Sequence, residues 1–297
     1  MISGFAGTPS GVSLFVLQMA RSKLTRRQFL VRSVMFGAGL AAVDAFGVEP
    51  RFLVRKRTEI AIKGLGAEFD GYRIALLSDF HLPSKSSKSL VQRACAMAMD
   101  FRPDLVALPG DFVHKRDTGV SDFSGYFDQL SAPDGVWATL GNHDHWVDAE
   151  AVKEELATNT PIKLIEHKHT LISRGDNRLA VGGVGDLWCG YVNPSTTFRG
   201  LSQDVPRILL SHNPDLAENL HSDERIDLQL SGHTHGGEIR FAFTDAPIIP
   251  SQYGNKFRSG LCQGKRHRVY VTRGVCTVFG RFFCPPEVSE LILRVGK

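Results

Sequence analysis

Five short apolar runs in this chain each stop near an aspartate, an asparagine or a histidine. Residues 72–78 run into Asp79-Phe80-His81, and 104–108 into Pro109-Gly110-Asp111. Residues 135–140 run into Gly141-Asn142-His143-Asp144-His145, and 207–210 into Ser211-His212-Asn213-Pro214. The fifth run, 226–230, meets Ser231-Gly232-His233-Thr234-His235-Gly236-Gly237. Apolar runs of this length, bounded by glycine and proline, read as buried strands. In an open α/β sheet, ligands bind beyond the carboxyl ends of the strands. A lone aspartate after a strand is usually a turn residue, and a lone histidine a satisfied side chain. Five coincidences point instead to one shared site.

In a strand, residues i and i+2 face the same way. His233 and His235 are therefore expected on one face, serving one polynuclear metal site, if the strand geometry persists through them. Two exposed histidines remain the alternative for that pair taken alone. Helical spacing predicts helices over 86–99, with a serine cap, over 121–130 and over 148–158. Further strands are expected over 57–62, over 162–165 paired with 169–173, and over 179–184, 269–272 and 291–295. Helices alternate with strands early and strands dominate late. That order predicts one sandwiched α/β domain rather than two.

The 42% hydrophobic and 22% charged content is that of a globular chain of 297 residues. The formal net charge of +4 is small, and much of it sits in the first 57 residues. No basic stripe interleaved with aromatics accompanies the candidate site, so no nucleic-acid partner is expected. Cys95, Cys189, Cys262, Cys276 and Cys284 are an odd number without a Cys-x-x-Cys, and each reads as a buried small hydrophobe.

Residues 1–47 read as an address. Arg26 and Arg27 stand just before a mildly apolar stretch, which resembles a twin-arginine export signal recognised by its translocase. Only eleven uncharged residues separate Arg32 from Asp44, against the ~20 that span a bilayer, so no stable transmembrane helix is expected. Val43-Asp44-Ala45 is a weak cleavage candidate, which leaves retention as an interfacial anchor open. Met19 offers an alternative start that would shorten the leader. Arg51, Arg55, Lys56 and Arg57 form a basic cluster, read as a solvated face or as a contact for anionic lipid headgroups.

Asp79, His81, Asp111, Asn142, His212, His233 and His235 are the candidate metal ligands. Carboxylate with imidazole suits manganese, iron or zinc better than calcium, and no thiolate is in the set. Two ions about 3.5–4 Å apart are the arrangement of phosphatases and nucleases. Two divalent cations facing two carboxylates would leave the pocket positive and attractive to phosphate.

The series DFH at 79–81, GD at 110–111, GNHD at 141–144, SHNPD at 211–215 and GHTHGGE at 232–238 resembles the calcineurin-like metallophosphoesterases. These motifs cover roughly residues 73–240 in the family's order. The tail, with Tyr253-Gly254-Asn255-Lys256-Phe257, Val271-Thr272-Arg273-Gly274 and Phe283-Cys284-Pro285-Pro286-Glu287, is similar to the twin-arginine-exported phosphodiesterase branch and its lipid A-pathway relatives.

The resemblance implies a sandwich of two mixed β-sheets flanked by helices. It implies that Asp79, His81 and His235 hold one metal, that Asn142, His212 and His233 hold the other, and that Asp111 bridges them. It further implies His143 as general acid or transition-state stabiliser, with Asp144 orienting its other ring nitrogen. A metal-bridging water or hydroxide would then be the in-line nucleophile. Two positions depart from the pattern: Pro83 where glycine is common, and Glu238 where relatives often carry glutamine. Glu238 adds a negative charge near the site that would alter substrate preference or else face solvent. His114 and His145 lie beside motifs but match no ligand position, with contact to substrate the alternative for each, and His167, His169, His221 and His267 read as structural or surface residues.

The expected organisation is a signal or anchor segment at 1–47 and a metallophosphoesterase domain at 48–297. The expected function is hydrolysis of a phosphodiester or pyrophosphate, in a small-molecule or lipid-linked substrate, by metal-activated water in the cell envelope. A UDP-2,3-diacylglucosamine pyrophosphatase-like enzyme and a non-catalytic, metal-stabilised envelope-binding protein are the alternatives.

Overall fold

Each of the five apolar runs becomes a strand in the computed structural model, which describes residues 24–83, 87–114, 120, 122–190, 192–220, 225–241 and 244–296. Met19 and His221 lie outside the described residues. The chain divides into two compact units, Met1–Leu40 and Ala41–Lys297.

Helix α1 (Arg26–Val43) starts where Thr25 and Gln28 cap each other's backbone amides, Oε1 of Gln28 accepting from Thr25 at 3.0 Å. With the helical turns that continue to Arg51, this stretch is long and apolar enough to cross a membrane by length and composition, a test that N-terminal signal sequences also pass. The shorter expectation counted only the uncharged run, whereas the helical turns continue past Arg32 and Asp44.

The strands of the second unit are, in chain order, β1 (Val54–Lys63), β2 (Arg73–Leu76), β3 (Leu105–Pro109), β4 (Val136–Thr139), β5 (Lys163–Leu164), β6 (His169–Arg174), β7 (Asn177–Gly183), β8 (Arg207–Leu210), β9 (Leu228–Ser231), β10 (Gly260–Gln263), β11 (Arg268–Val271) and β12 (Glu287–Gly296). They form two six-stranded sheets, ordered β1-β12-β2-β3-β4-β5 and β10-β11-β9-β8-β7-β6. Each sheet is mixed, because β12 pairs antiparallel to β2, and β10 and β6 pair antiparallel to their neighbours.

Strand periodicity explains the layers. Ile74 and Leu76 of β2, with Leu105 and Ala107 of β3, face Val181, Ile208, Leu210, Leu228 and Leu230 of the other sheet. Ala75, Val106 and Leu108, one position out of phase, face helix α2 (Lys88–Asp100) through Val91, Ala94, Cys95 and Ala98. Each fully buried Leu, Ile or Val contributes roughly 1.5–3 kcal/mol, so slipping a strand by one residue would exchange its two buried faces.

Three local expectations change. Residues 122–130 form turns rather than a helix, because Asp122 and Asp128 carboxylates take the amides of Ser124 and Gly125. The strands near 162–165 and 169–173 lie in different sheets, β5 on β4 and β6 on β7. A short helix α3 (Asn142–Val147) follows β4, ahead of the expected helix, which is α4 (Ala149–Asn159) capped by Asp148. The cysteines are unpaired; Cys189 is exposed and Cys262 only partly buried, against the buried reading for each.

Candidate metal centre

Strands β2, β3 and β4 of one sheet and β8 and β9 of the other carry the seven candidate ligands on the loops that leave their carboxyl ends. The loops are laced together by backbone bonds: Asp79 N–H donates to Gly110 O, and Gly232 N–H to His212 O. His212 reaches across the sandwich, its Nδ1 2.7 Å from Pro109 O at the end of β3. All seven side chains are buried. Asp79, His81, Asp111, His233 and His235 have positive φ, uncommon for residues with side chains. Such strain clusters at functional sites, where the surrounding structure holds it.

The strand geometry of β9 does not persist through the His-x-His pair. It ends at Ser231, and the positive φ of His233 and His235 sends the rings to different partners. His235 Nε2 lies 3.1 Å from His81 Nε2 and 3.4 Å from Asp79 Oδ1. His233 Nδ1 lies 3.2 Å from His212 Nε2. Between the two groups, Asp111 Oδ2 is 3.5 Å from His81 Nε2 and 3.2 Å from His212 Nε2. Glycine is required beside this cluster: a Cβ on Gly232 would collide with Ser78 Oγ and the Asp79 carboxylate.

The donors suit a divalent cation. Asn142 Oδ1 is buried without a protein partner, as is His233 Nε2, and burying such atoms is costly unless something else binds them. Burial holds the His81 ring well below the usual imidazole range, and does the same for His233 with help from neighbouring His212. Neutral rings are the ligating form. Burial also opposes a charge on His212, but contact with Asp111 outweighs it and pushes that ring up to about 10. Burial likewise works against the Asp111 carboxylate, and His212 more than offsets it, holding that carboxyl well below its ordinary value.

The family model for calcineurin-like phosphoesterases matches residues 72–237, the span that holds every one of these side chains. The chain belongs to the calcineurin-like phosphoesterases. Phosphodiesterase YaeI of Escherichia coli K12 is 33% identical over 280 residues, covering 91% of this chain and 99% of that protein. The uncharacterised metallophosphoesterase YkuE of Bacillus subtilis is 32% identical over 287 residues, covering 92% and 98%. UDP-2,3-diacylglucosamine pyrophosphatase LpxG of Chlamydia muridarum is 25% identical over 297 residues, covering 81% and 89%. This calcineurin-like domain is a metallophosphoesterase, a hydrolase of phosphoester or phosphoanhydride bonds.

His143 of the calcineurin-like domain lines a cavity of about 410 Å³ that opens over Asp111, Asn142, His233 and His235. The expected pairing of Asp144 with its ring is corrected by the structure. His143 Nδ1 is 2.6 Å from the His114 carbonyl oxygen, and Asp144 turns to the backbone instead. The Asp144 carboxylate accepts from Asp111 N at 2.9 Å, Phe112 N at 2.8 Å, Val113 N at 3.0 Å and Gly141 N at 2.9 Å. It thereby ties the β3 loop to the β4 loop. Burial pushes its carboxyl up to about 8, with the Asp111 charge adding and the amide donors opposing.

Several neighbours had no assigned role in the site from the sequence. His114 stacks on His143 with ring centres 5.2 Å apart, and its Nδ1 is 3.2 Å from His81 Nδ1. Trp188 meets His233 edge-on at 4.4 Å, and Trp146 lies 4.8 Å from His143. Cys276 joins His81 and His235 in one buried group, although burial raises its thiol far above the usual range and so keeps it protonated. Glu238 does not face solvent. Its buried carboxylate takes the amides of Val278 and Phe279, at 2.5 and 2.7 Å, and lies 3.3 Å from His235 Nδ1. His145, half-buried beside the same motif, has its Nε2 buried without a hydrogen-bond partner. Only His114, His145 and Glu238, all beside motifs, hinted at any of this; Trp188 and the 276–279 segment come from loops with no local signature.

Proposed function

We propose that this protein is a dinuclear-metal phosphoesterase hydrolysing a phosphodiester or pyrophosphate outside the cytoplasm or at a membrane face. The placement of Asp111 Oδ2 between His81 Nε2 and His212 Nε2 carries this reading. Asp79, His81 and His235 would hold one ion, Asn142, His212 and His233 the other, and Asp111 both. Manganese, iron or zinc ions there would supply water activation and neutralise charge on the phosphoryl oxygens.

The chain's own groups do the rest. His143 keeps a proton on Nδ1 for the His114 carbonyl, which leaves Nε2 to meet the phosphate. When the ring is protonated, that Nε2–H stabilises developing charge and is given up to the leaving oxygen. Asp144 serves as a positioning residue, fixing the loop amides of 111–113 so that the Asp111 carboxylate stays between the two sets. His81 and His235 are held on opposite sides by His114 and Glu238.

We read residues 1–47 as a twin-arginine-type signal or anchor that engages the twin-arginine translocase, and 48–297 as the catalytic domain. Export of an already folded chain would carry bound metal with it. A lipid-linked substrate is the second reading, favoured by Trp146, Trp188, Ile248 and Phe279 in the cavity wall. The relative named UDP-2,3-diacylglucosamine pyrophosphatase makes an acylated nucleotide sugar one substrate to include.

The test is turnover by the manganese-loaded protein on a panel of soluble diesters, phospholipids and acylated nucleotide-sugar pyrophosphates. Hydrolysis of at least one is expected, with subcellular fractionation placing the activity in the envelope. No turnover on any of them, with both ions bound, would leave the envelope-binding reading in its place.

A further inference from the structure

The stretch of chain that follows the apolar helix is bolted to the wall of the catalytic cavity. Residues Asp44–Val48 form a π-helical turn and Glu49–Arg51 a 3₁₀ turn rather than a loose linker. Ala45 is buried, and its carbonyl accepts from Arg281 N at 2.8 Å. The Glu49 carboxylate accepts the Phe283 amide at 2.8 Å and the Cys284 amide as well. Phe46 lies against Gly280, where a Cβ would come within 2.7 Å of its ring. Gly280 in turn follows Val278 and Phe279, whose amides are held by Glu238. One rigid segment thus joins the strap at 44–51 to the rim of the cavity.

That rim is apolar and exposed. Phe279 is 76% exposed, Ile248 75% and Phe46 62%. On the far side of Val278 and Phe279 lies a second cleft of about 550 Å³, lined also by Phe46, Arg51 and Arg93. Both arginines are exposed, and their described hydrogen bonds go to backbone carbonyls, Arg93 to that of Arg51 at 3.4 Å. Neither forms an ion pair among the described residues. Exposed apolar side chains rimmed by cations match the interfacial layer of an anionic bilayer, where rings sit at headgroup level and arginines meet phosphate.

We propose that the cavity mouth is a membrane-docking surface. Phe46, Ile248 and Phe279 enter the interfacial layer, Arg51 and Arg93 bind lipid phosphates, and the phosphoester enters the cavity from the membrane side. The last step rests on the phosphoesterase reading; the docking does not. The strap at 44–51 thus belongs to the same surface as the mouth.

Full-length protein reconstituted into phosphatidylcholine vesicles, with or without phosphatidylglycerol, tests this. Brominated acyl chains are expected to quench the emission of rim residues Trp146 and Trp188, more strongly with phosphatidylglycerol present. The Phe279→Ser/Ile248→Ser variant, still vesicle-bound, should lose that quenching, and Arg51→Glu/Arg93→Glu should lose its dependence on phosphatidylglycerol. In the parent, emission quenched by aqueous iodide but not by bromolipid overturns the docking. In a second arm, the ratio of turnover on vesicle phospholipid to turnover on soluble bis(4-nitrophenyl) phosphate should fall about tenfold in Phe279→Ser/Ile248→Ser, a difference of ~1.4 kcal/mol. An unchanged ratio overturns the membrane-side entry. A parent that hydrolyses neither substrate defeats the phosphoesterase reading, while the quenching still decides the docking.

Discussion

His81 Nε2 lies 3.1 Å from His235 Nε2, although 154 residues separate them in the chain. Two imidazole nitrogens this close repel through their lone pairs unless a proton or a cation sits between them. The same holds for His233 Nδ1 and His212 Nε2, 3.2 Å apart. The two contacts lie on either side of Asp111, and in the proposed dinuclear reading each pair belongs to one ion, with Asp111 shared. His235→Ala and His233→Ala should therefore each remove about half of the bound metal, as expected for two ions in separate ligand sets. Elemental analysis of the purified variants decides this; loss of all metal in both would mean one shared ion.

His143 stands over the ligands without joining either pair. His143→Ala is expected to lower kcat by about 10²- to 10⁴-fold, the usual contribution of a proton-transferring side chain. Metal content should be unchanged. A variant that lost its metal along with its activity would place His143 among the ligands instead.

The four amide bonds to Asp144 make its substitution a stability experiment. Asp144→Asn turns an amide group toward two of the four buried donors, and should cost about 2–6 kcal/mol, at ~1–3 kcal/mol for each donor left without an acceptor. Urea unfolding of the metal-free proteins measures it. Parent-like stability, with activity lost, would return Asp144 to the role of partner to His143.

His267 offers a pH readout away from the ligands. Burial lowers its ring to about 4, below the usual 6.5, and its Nε2 is 3.0 Å from Gln229 Oε1. The folded state therefore prefers the neutral ring. Its contribution is complete above about pH 6.5 and is lost as the pH falls from 6.5 towards 4, amounting to roughly 3 kcal/mol. Replacing the ring in His267→Gln should flatten the fall in unfolding free energy between pH 7 and 4.5. Identical pH slopes for parent and variant would contradict the assignment.

Glu238 is expected to act through the wall it holds. Glu238→Ala removes the acceptor for the Val278 and Phe279 amides and should lower Tm by roughly 4–8 °C, for a loss near 2 kcal/mol. Phospholipid turnover should suffer more than turnover on a small soluble diester. Equal losses on both substrates would mean that Glu238 matters only through His235.

Much of this was legible in the residues. The five strand ends and the single sandwiched α/β domain follow from apolar runs that stop near Asp, Asn or His, because burial on both faces leaves only the strand ends for polar chemistry; the two mixed sheets came from the family resemblance, and the ligand set is a proposal that rests on both. Helical spacing over 86–99 also predicted a serine cap for α2, and Ser87 supplies it.

What the chain order could not carry is which ends meet. His233 and His235 part company because β9 stops at Ser231 and their backbones turn left-handed, a choice made by the packing of the two sheets. Asp144 points to the amides of 111–113 rather than to the adjacent His143 because four buried donors outweigh one ring nitrogen. The strap at 44–51 and the Glu238 clamp likewise join residues far apart in the chain. Local pattern sets which side chains are available at strand ends; burial of unpaired polar groups, satisfied only by long-range partners, decides what each one touches.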